Sequence, residues 1–217
     1  MVEFFRFPIF HDKYKKITGM EAIGYFGQSV EFFGDERIAY VSGSGICIHH
    51  LQNGTVEMIW RSETGICTFK YHATTNKLAL CHDVAGACIE ITQLPDHSRL
   101  FAELENPTSD RISDFSFSHE GDRLVGISNC FDHKCVVWSL ISKEVLLTVG
   151  LETLFEACMV NPIARNLISF VSCDGVHIGA IREVYGDFSI HVNKTNAESL
   201  CNEIPERVDS SKTETDS

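Results

Sequence analysis

The stretch that decides the fold is RISDFSFSHEGDRLVGISNCFDHKCVVWSL, residues 111–140. Residues 111–118 alternate between apolar and small polar side chains, which is typical of a strand with one buried face. The sequence His-Glu-Gly-Asp at 119–122 is rich in turn-forming residues. Residues 123–128 form a short apolar run, and after a polar loop residues 135–140 place two valines before a tryptophan. The stretch therefore predicts three consecutive strands of one sheet.

This order of strands and turns resembles one blade of a WD-repeat propeller, in which a tryptophan ends the third strand. Ser139 stands where such repeats usually carry the aspartate that follows Trp138. Residues 144–149 are predicted to close the blade as its fourth, outer strand.

The same four-strand pattern is predicted three more times along the chain. The strands of these units are predicted at 30–33, 37–42, 45–51 and 55–60, then at 66–71, 77–81, 87–93 and 98–104, and finally at 155–160, 166–172, 176–181 and 188–192. The pairs that begin each second strand are Arg37-Ile38, Lys77-Leu78, Arg123-Leu124 and Asn166-Leu167. They are separated by 40, 46 and 43 residues, which fits the period of about 40–45 residues of WD-type blades.

We therefore predict an all-β chain of about four WD40-type β-propeller blades. A sandwich or barrel of antiparallel hairpins is the alternative, although its turns recur at shorter spacing. Four WD-type blades rarely close a ring, and an open stack would expose one face at each end. The sequence is thus expected to be part of a longer propeller protein, or else another chain completes the ring.

The predicted domains are an N-terminal segment at 1–28, the blades at 29–192 and a disordered acidic tail at 193–217. The tail holds six acidic and three basic residues and little that it could bury. No secretory signal and no apolar run of transmembrane length is evident. A cytoplasmic location is therefore expected.

Charge narrows the class of partner. The net charge is -12, from 18 basic and 30 acidic residues, which argues against nucleic acid and anionic membranes as primary partners. Nine cysteines, an odd number, lie mostly inside apolar runs, and no CxxC pair occurs. This usage favours reduced cysteines that pack as small apolar side chains. Protein partners are expected, and no small-molecule substrate is evident.

Three clusters carry residues that bind metals elsewhere, and the motifs of common enzymes are absent from the sequence. The clusters are Cys47 with His49 and His50, Cys67 and His72 with Cys81 and His82, and Cys130 with His133 and Cys135. Neighbouring residues on a strand point to opposite faces, so Cys81 and His82 cannot share an ion, and two ligands do not make a tetrahedral site. We interpret all three clusters as structural and expect no catalytic, cofactor-binding or metal-binding residue and no cofactor.

His119 and its counterpart His72 are predicted to form local hydrogen bonds in rim turns. Asp132, Ser128 and Trp138 match members of the hydrogen-bond network that staples WD blades, although the usual Gly-His dipeptide is absent. Their predicted role is structural.

A narrower resemblance rests on three segments. They are GQSVEFFGDERIAYVSGSGICIHHLQNG at 27–54, ICTFKYHATTNKLALCHDVAGACIEITQLP at 66–95 and FSFSHEGDRLVGISNCFDHKCVVWSL at 115–140. They resemble the first three blades of the WD-repeat cilia- and flagella-associated protein family. The third departs from that family in its loop, where Cys130-Phe131-Asp132 replaces a frequent Pro-Asp.

That resemblance implies a scaffold of the ciliary or flagellar axoneme that tethers or regulates inner-arm dynein and so contributes to cilium motility. Its implied partners are axonemal scaffold proteins or dynein subunits. The sequence thus favours a non-enzymatic protein-interaction module whose rim loops, such as 94–97 and 129–134, are held rigidly for partners. The alternatives are a cytosolic WD-repeat adaptor in ubiquitin ligation or trafficking and, more remotely, a propeller enzyme.

Overall fold

The structure is a computed structural model that describes residues 30–42, 44–94, 100–128, 131–164 and 166–195. Within these residues, sixteen strands form four antiparallel sheets of four strands each. Blade 1 contains β1 (Val30–Phe32), β2 (Arg37–Ser42), β3 (Gly45–His50) and β4 (Val56–Arg61). Blade 2 contains β5 (Ile66–His72), β6 (Lys77–His82), β7 (Ile89–Gln93) and β8 (Leu100–Leu104). Blade 3 contains β9 (Ile112–Phe117), β10 (Arg123–Ser128), β11 (Lys134–Ser139) and β12 (Glu144–Gly150). Blade 4 contains β13 (Ala157–Val160), β14 (Leu167–Ser172), β15 (Gly175–Val184) and β16 (Asp187–Lys194).

Each sheet is a meander, in which strands that follow one another in sequence also pair with one another. The predicted all-β fold and its four four-stranded units are confirmed. Local turn chemistry explains the tight connections: Gly54 has a φ of 70°, and the Asn53 side chain accepts a hydrogen bond from the Thr55 backbone at 2.9 Å. The Gly54 amide also donates a hydrogen bond to the His50 carbonyl at 2.9 Å, so residues 51–54 form a four-residue loop that leads from β3 into β4.

Apolar clusters lie between successive blades. One cluster joins blades 1 and 2, a second joins blades 2 and 3, and a third joins blades 3 and 4. The inner strands β1, β5, β9 and β13 follow one another along the stack, so these clusters fill the space between sheet faces. The blades are thus held together mainly by side chains, whereas backbone hydrogen bonds hold each blade together.

One predicted register is wrong by one residue. The second strands begin at Arg37, Lys77, Arg123 and Leu167, so Leu167 is equivalent to Arg123 rather than to Leu124. The reason is the turn before β14, where the Asn161 carboxamide accepts hydrogen bonds from the backbones of Ile163 and Ala164. This side-chain turn adds one residue to the connection.

The strand bounds lie close to the predicted limits of the blades, since β1 begins at Val30 and β16 ends at Lys194. The predicted N-terminal segment at 1–28 and most of the predicted tail, at 196–217, lie outside the described residues. The described part of the chain contains no helix that is long and apolar enough to span a membrane.

Candidate interaction surfaces

An internal blade buries both faces of its second strand. In blade 3, Leu124 packs in the cluster shared with blade 2, whereas Val125 and Ile127 pack in the cluster shared with blade 4. None of the three side chains is more than 1% exposed. Because successive side chains of a strand point to opposite faces, one short strand fastens the blade to both neighbours.

Blade 4 repeats these positions but buries only one face. Ile168 is equivalent to Leu124 and packs against blade 3. Val171 is equivalent to the buried Ile127, yet it is 42% exposed. Its partner on β15, Val176, is 41% exposed. We define the blade 4 face as the inner part of this side of the sheet: Met159, Ser169, Val171, Val176 and Ile178. The outer part of the same side is polar and exposed, and it carries Arg182, Ser189, His191 and Asn193.

Blade 1 leaves the opposite side open. Val30 holds the inner-strand position that Phe69 holds in blade 2 and Phe115 in blade 3, since each pairs with the fourth residue of its second strand. The two phenylalanines are fully buried, whereas Val30 is 45% and the nearby Phe32 63% exposed. We define the blade 1 face as Val30, Phe32, Ile38, Tyr40, His49, Val56 and Met58.

Two polar side chains lie within the otherwise apolar blade 1 face. His49 Nδ1 is buried and has no hydrogen-bond partner among the described residues. Burial also raises the pKa of the Tyr40 hydroxyl above its ordinary value, with a smaller contribution from Cys47. An unpaired buried polar atom is unfavourable by about 1–3 kcal/mol, so His49 Nδ1 lowers the stability of blade 1.

A line of polar contacts joins the inner strands across all three junctions. Lys70 Nζ lies 2.9 Å from Glu31 Oε1 and 3.7 Å from Asp114 Oδ1. The other carboxylate oxygen of Asp114 accepts a hydrogen bond from the Cys158 backbone at 2.9 Å. One residue from each blade therefore takes part, and two carboxylates share one ammonium group.

Burial controls the ionisation of this line. It raises the pKa of both carboxyl groups, Glu31 and Asp114, although Lys70 opposes the shift. Burial alone would lower the pKa of Lys70, but Asp114 and Glu31 outweigh it and raise that pKa. A single cation thus does not fully compensate two partly desolvated anions.

The three residues predicted to staple the blade, Trp138, Asp132 and Ser128, each form a hydrogen bond, but they do not bond to one another as one network. Trp138 is fully buried, and its Nε1 donates a hydrogen bond to the Glu105 carbonyl at 2.7 Å. Asp132 Oδ2 accepts a hydrogen bond from the Ser109 backbone at 2.8 Å, which is the main reason why its pKa is lowered. Both side chains thus hold the loop between β8 and β9.

Ser128, the third predicted member, has a different partner: its hydroxyl accepts a hydrogen bond from the Lys134 backbone at 2.8 Å. Room for the Trp138 indole comes from Gly126, since a Cβ there would lie only 2.9 Å from the ring.

The two predicted rim histidines form a contact between blades. His72 Nε2 lies 3.0 Å from the His119 carbonyl oxygen, and its Nδ1 lies 2.7 Å from Thr75 Oγ1. Because a carbonyl only accepts, Nε2 carries the proton and donates it to this hydrogen bond. Burial lowers the pKa of His72. The contact of Nδ1 with Thr75 is local, as predicted. The contact of Nε2 with His119 joins blade 2 to blade 3 and was not predicted from the sequence.

The predicted metal-like clusters separate into unrelated contacts. The described residues contain no group of three or more His, Cys, Asp or Glu side chains arranged to hold a metal ion, and Cys130 lies outside them. His50 pairs with Glu57 at 3.3 Å. Burial raises the pKa of Cys81 and of Cys135 to about 12 in each case, so both thiols are protonated at neutral pH.

A hydroxyl–imidazole–carboxylate line that the sequence did not predict lies between blades 1 and 2. Ser62 Oγ lies 2.8 Å from His82 Nδ1, and His82 Nε2 lies 3.1 Å from Glu90 Oε1. The Ser62 side chain is 5% exposed, and its oxygen also contacts the Gly65 carbonyl and the Thr64 amide. A hydroxyl so enclosed fastens the loop between β4 and β5. Since the three residues come from separate elements, no spacing motif could have identified them.

A second group of the same types lies in one turn of blade 4. Asp174 and Ser172 both approach the same atom, His177 Nε2, at 3.0 and 3.2 Å. A catalytic relay needs the carboxylate and the hydroxyl on opposite ring nitrogens, so this geometry stabilises the turn. Hydrogen bonds from Lys194, Ser172 and His177 hold the pKa of Asp174 well below its ordinary range.

Comparison with known proteins supports the fold. No family model and no curated protein matches the chain. Among solved structures, KlHsv2 with a Gly-Ser linker in place of loop 6CD matches with a TM-score of 0.60 and 17% identity, over 79% of this chain and 59% of that chain.

Two further Hsv2 structures match equally well. Hsv2 of Kluyveromyces marxianus gives a TM-score of 0.60 at 16% identity, over 78% of this chain and 58% of its own. Hsv2 of Kluyveromyces lactis with complete loop 6CD gives a TM-score of 0.60 at 16% identity, over 79% of this chain and 62% of that chain. This chain thus spans about three fifths of the length of these propellers, and its described residues form four successive blades of the β-propeller fold.

Proposed function

We propose that this chain is a non-enzymatic protein-interaction scaffold. One observation carries the proposal: positions that are buried between blades in the interior of the stack are open on the blade 1 and blade 4 faces. The blade 1 face is mainly apolar, whereas the blade 4 face is an apolar area bordered by a polar outer strand. An apolar area with a polar rim is typical of protein contact sites. The net charge of -12 disfavours nucleic acid and anionic membrane as the other component.

The more specific form of the proposal is a scaffold of the ciliary or flagellar axoneme that tethers or regulates inner-arm dynein. Its support is the resemblance of residues 27–54, 66–95 and 115–140 to the opening blades of the cilia- and flagella-associated WD-repeat family. The likeness to Hsv2 bears on the fold alone. Acidic tubulin tails would repel this acidic chain, so dynein subunits or other scaffold proteins are the proposed direct contacts, in the cytoplasm and axoneme.

Localisation and affinity capture in multiciliated cells test both the general scaffold function and the ciliary role. The tagged chain is compared with a variant that carries Phe32→Asp and Val171→Asp, one change on each terminal face. We expect the original chain to concentrate along axonemes and to retain dynein or axonemal proteins, and the variant to lose them. Retention of cytosolic ubiquitin-ligase or trafficking proteins by the original chain would replace the ciliary role with that of an adaptor. Equal capture by chain and variant would reject the terminal faces as the interaction surface.

A further inference from the structure

We propose that an open cavity at the junction of blades 2 and 3 binds an acidic peptide segment of a partner protein, in which an apolar side chain lies between two carboxylates. The cavity has a volume of about 410 Å³ and is lined by Gln93, Leu100, Phe101 and Lys143. Lys77 lies beside it, over the Phe101 ring. This site is separate from the blade 1 and blade 4 faces, so the inference goes beyond the proposed function and is tested independently of it.

Two ammonium groups approach one aromatic ring at this cavity. Lys77 Nζ lies 4.6 Å and Lys143 Nζ 5.3 Å from the centroid of the Phe101 ring, which attracts cations through its electron-rich face. Both nitrogens also donate hydrogen bonds to carbonyl oxygens, from Lys77 to Gly121 at 3.1 Å and from Lys143 to Phe101 at 3.0 Å. Neither lysine forms an ion pair with a carboxylate of the residues that the structure describes. Within this part of the chain, a ring and carbonyl dipoles thus hold both positive charges.

The surroundings of the two lysines favour an additional anion. Burial lowers the pKa of Lys77, and the Asp122 carboxylate, which acts from beyond ion-pair distance, offsets only part of that effect. Lys143 is exposed, and the positive charge of each ammonium group raises the energy of the other. A ligand carboxylate at each lysine would reduce both of these costs.

The backbone holds Lys143 in a strained conformation. Its φ of 62° lies in the left-handed region, which costs a residue other than glycine about 1–2 kcal/mol. Lys143 ends the turn between β11 and β12, where glycine or asparagine would be less strained. A lysine at this position keeps an ammonium group over Phe101 that either of those residues would remove. Strained positions of this kind are concentrated at ligand-binding sites.

The other lining residues supply apolar area and a hydrogen-bond acceptor. Leu100 is 49% exposed, and Phe101 is partly buried against the core cluster between blades 2 and 3. An aliphatic or aromatic ligand side chain would cover both. Gln93 Nε2 donates a hydrogen bond to the Thr75 carbonyl at 2.8 Å, which orients the carboxamide and leaves its oxygen to accept from a peptide amide. This combination fits a peptide with an apolar residue between acidic ones.

Charge favours a short peptide over other anionic partners. The net charge of -12 repels nucleic acid and anionic membrane, which carry many closely spaced charges, whereas a peptide needs only two carboxylates here. Residues 95–99, which lie outside the described residues, contain one carboxylate, that of Asp96, together with the cation of Arg99. That segment of the chain cannot supply two carboxylates to the two lysines.

A library of random twelve-residue peptides displayed on phage tests the proposal, with the full 217-residue chain as the target. We expect the enriched peptides to contain at least two aspartates or glutamates with an aliphatic or aromatic residue between them. Fluorescence anisotropy then measures the affinity of the most enriched peptide. Lys77→Gln or Lys143→Gln alone should weaken it about threefold, and the double variant about tenfold.

Three controls make the result specific to the cavity. Arg182→Gln removes the same charge from an exposed position of blade 4 and should leave the affinity unchanged. Replacing the acidic residues of the peptide with their amides should weaken binding as much as the double variant does. Lys143→Gly relieves the strained φ while it removes the ammonium group, so it should weaken binding about threefold without lowering the melting temperature.

The outcomes are distinct. Enriched peptides without acidic residues, no enrichment at all, or equal affinity for the original chain and the double variant would overturn the site. Binding of poly(U) RNA or of phosphatidylserine vesicles that is lost in the double variant would assign the cavity to a different class of partner and overturn the acidic peptide. Peptide binding that requires Asp96→Asn would identify a carboxylate of this chain as the occupant and overturn it as well. None of these results bears on the proposed function, which fails instead if Phe32→Asp with Val171→Asp leaves protein capture unchanged.

Discussion

Blade 3 and blade 4 have the same strand order and second strands of equal length, but they differ in how many of their faces are buried. Blade 3 contributes Leu124 to one apolar cluster and Ile127 to another, whereas blade 4 contributes Ile168 to one cluster and leaves Val171 open. The difference shows that hydrogen bonding within a sheet is sufficient to form a blade. How much a side chain stabilises the protein depends on whether a neighbouring sheet buries it. Stability should therefore be concentrated at the junctions of blade 3 and decrease towards both ends.

The largest expected contrast is between the two tryptophans. Trp138 is fully buried between blades 2 and 3 and donates a hydrogen bond to Glu105, whereas Trp60 on β4 is only partly buried. We expect Trp138→Ala to lower the free energy of unfolding by about 3–5 kcal/mol, because it leaves a large cavity. Trp60→Ala should cost less than half as much. Urea unfolding followed by far-UV circular dichroism measures both.

Trp138→Phe separates the two contributions of the indole. It keeps most of the apolar contact but leaves the Glu105 carbonyl without its donor, so a loss of about 1–2 kcal/mol is expected. Equal losses for Trp138→Ala and Trp60→Ala would contradict the idea that burial at the junction determines stability.

The next contrast uses one position in two blades. Leu124 and Ile38 are each the second residue of a second strand, but only Leu124 has a blade against it. We expect Leu124→Ala to lower the free energy of unfolding by about 2–4 kcal/mol and Ile38→Ala by about 1 kcal/mol or less. The midpoint of urea unfolding is the measurement. If the order were reversed, the blade 1 face would already be covered in this chain.

Asp114 tests the polar line along the inner strands. Replacement by alanine leaves the Cys158 amide without its acceptor and Lys70 with Glu31 as its remaining carboxylate, and we expect a loss of about 1–3 kcal/mol in the free energy of unfolding. Asp114→Asn still offers an oxygen to the amide, so its loss should be under about 1 kcal/mol. Thermal unfolding at pH 7 ranks the two variants, and a larger loss for asparagine would show that the charge matters more than the hydrogen bond.

The same carboxyl group predicts a pH dependence. Burial raises its pKa in the folded state, so the folded chain binds this proton more tightly than the unfolded chain. The contribution to stability is then complete below the unfolded pKa of about 4 and is lost as the pH rises through the raised folded value. Asp114→Asn should flatten this decrease, while Glu31, whose pKa is raised in the same direction, retains a part of it. Unfolding midpoints between pH 4 and 7 provide the comparison.

Much of the fold was predictable from local sequence. Alternation and turn residues located the strands of blade 3 within a residue or two, and the recurrence of similar units indicated stacked blades. The register of blade 4 was not predictable, because the side-chain turn made by Asn161 inserts a residue without changing the hydrophobic pattern. A shift of one residue exchanges the two faces of a strand, so the side on which Ile168 packs became clear only from the structure.

The candidate surfaces were harder to foresee than the fold. An exposed face at each end of an open stack was expected, but Val171 and Ile127 look alike in sequence, since both are β-branched residues at the same position of a strand. Only the presence or absence of a neighbouring sheet distinguishes them. The contact between Lys70 and Asp114 was equally invisible, because residues 44 apart meet only after two blades have stacked.

The smallest expected effect, that of a valine-to-threonine change, provides the most sensitive comparison of a buried and an open blade face, because the same substitution is made on both. Val125 and Val171 lie on equivalent sides of their second strands, but Val125 is buried against blade 4 and Val171 is 42% exposed. Valine and threonine have nearly the same shape, so each change mainly introduces a hydroxyl group. Val125→Thr should lower the free energy of unfolding by about 1–3 kcal/mol, since its hydroxyl has no water to bind. Val171→Thr should change it by less than about 0.5 kcal/mol, which urea unfolding of the isolated chain measures. If Val171→Thr were as costly as Val125→Thr in the isolated chain, the blade 4 face would be covered there, and no partner would be needed to explain its apolar character.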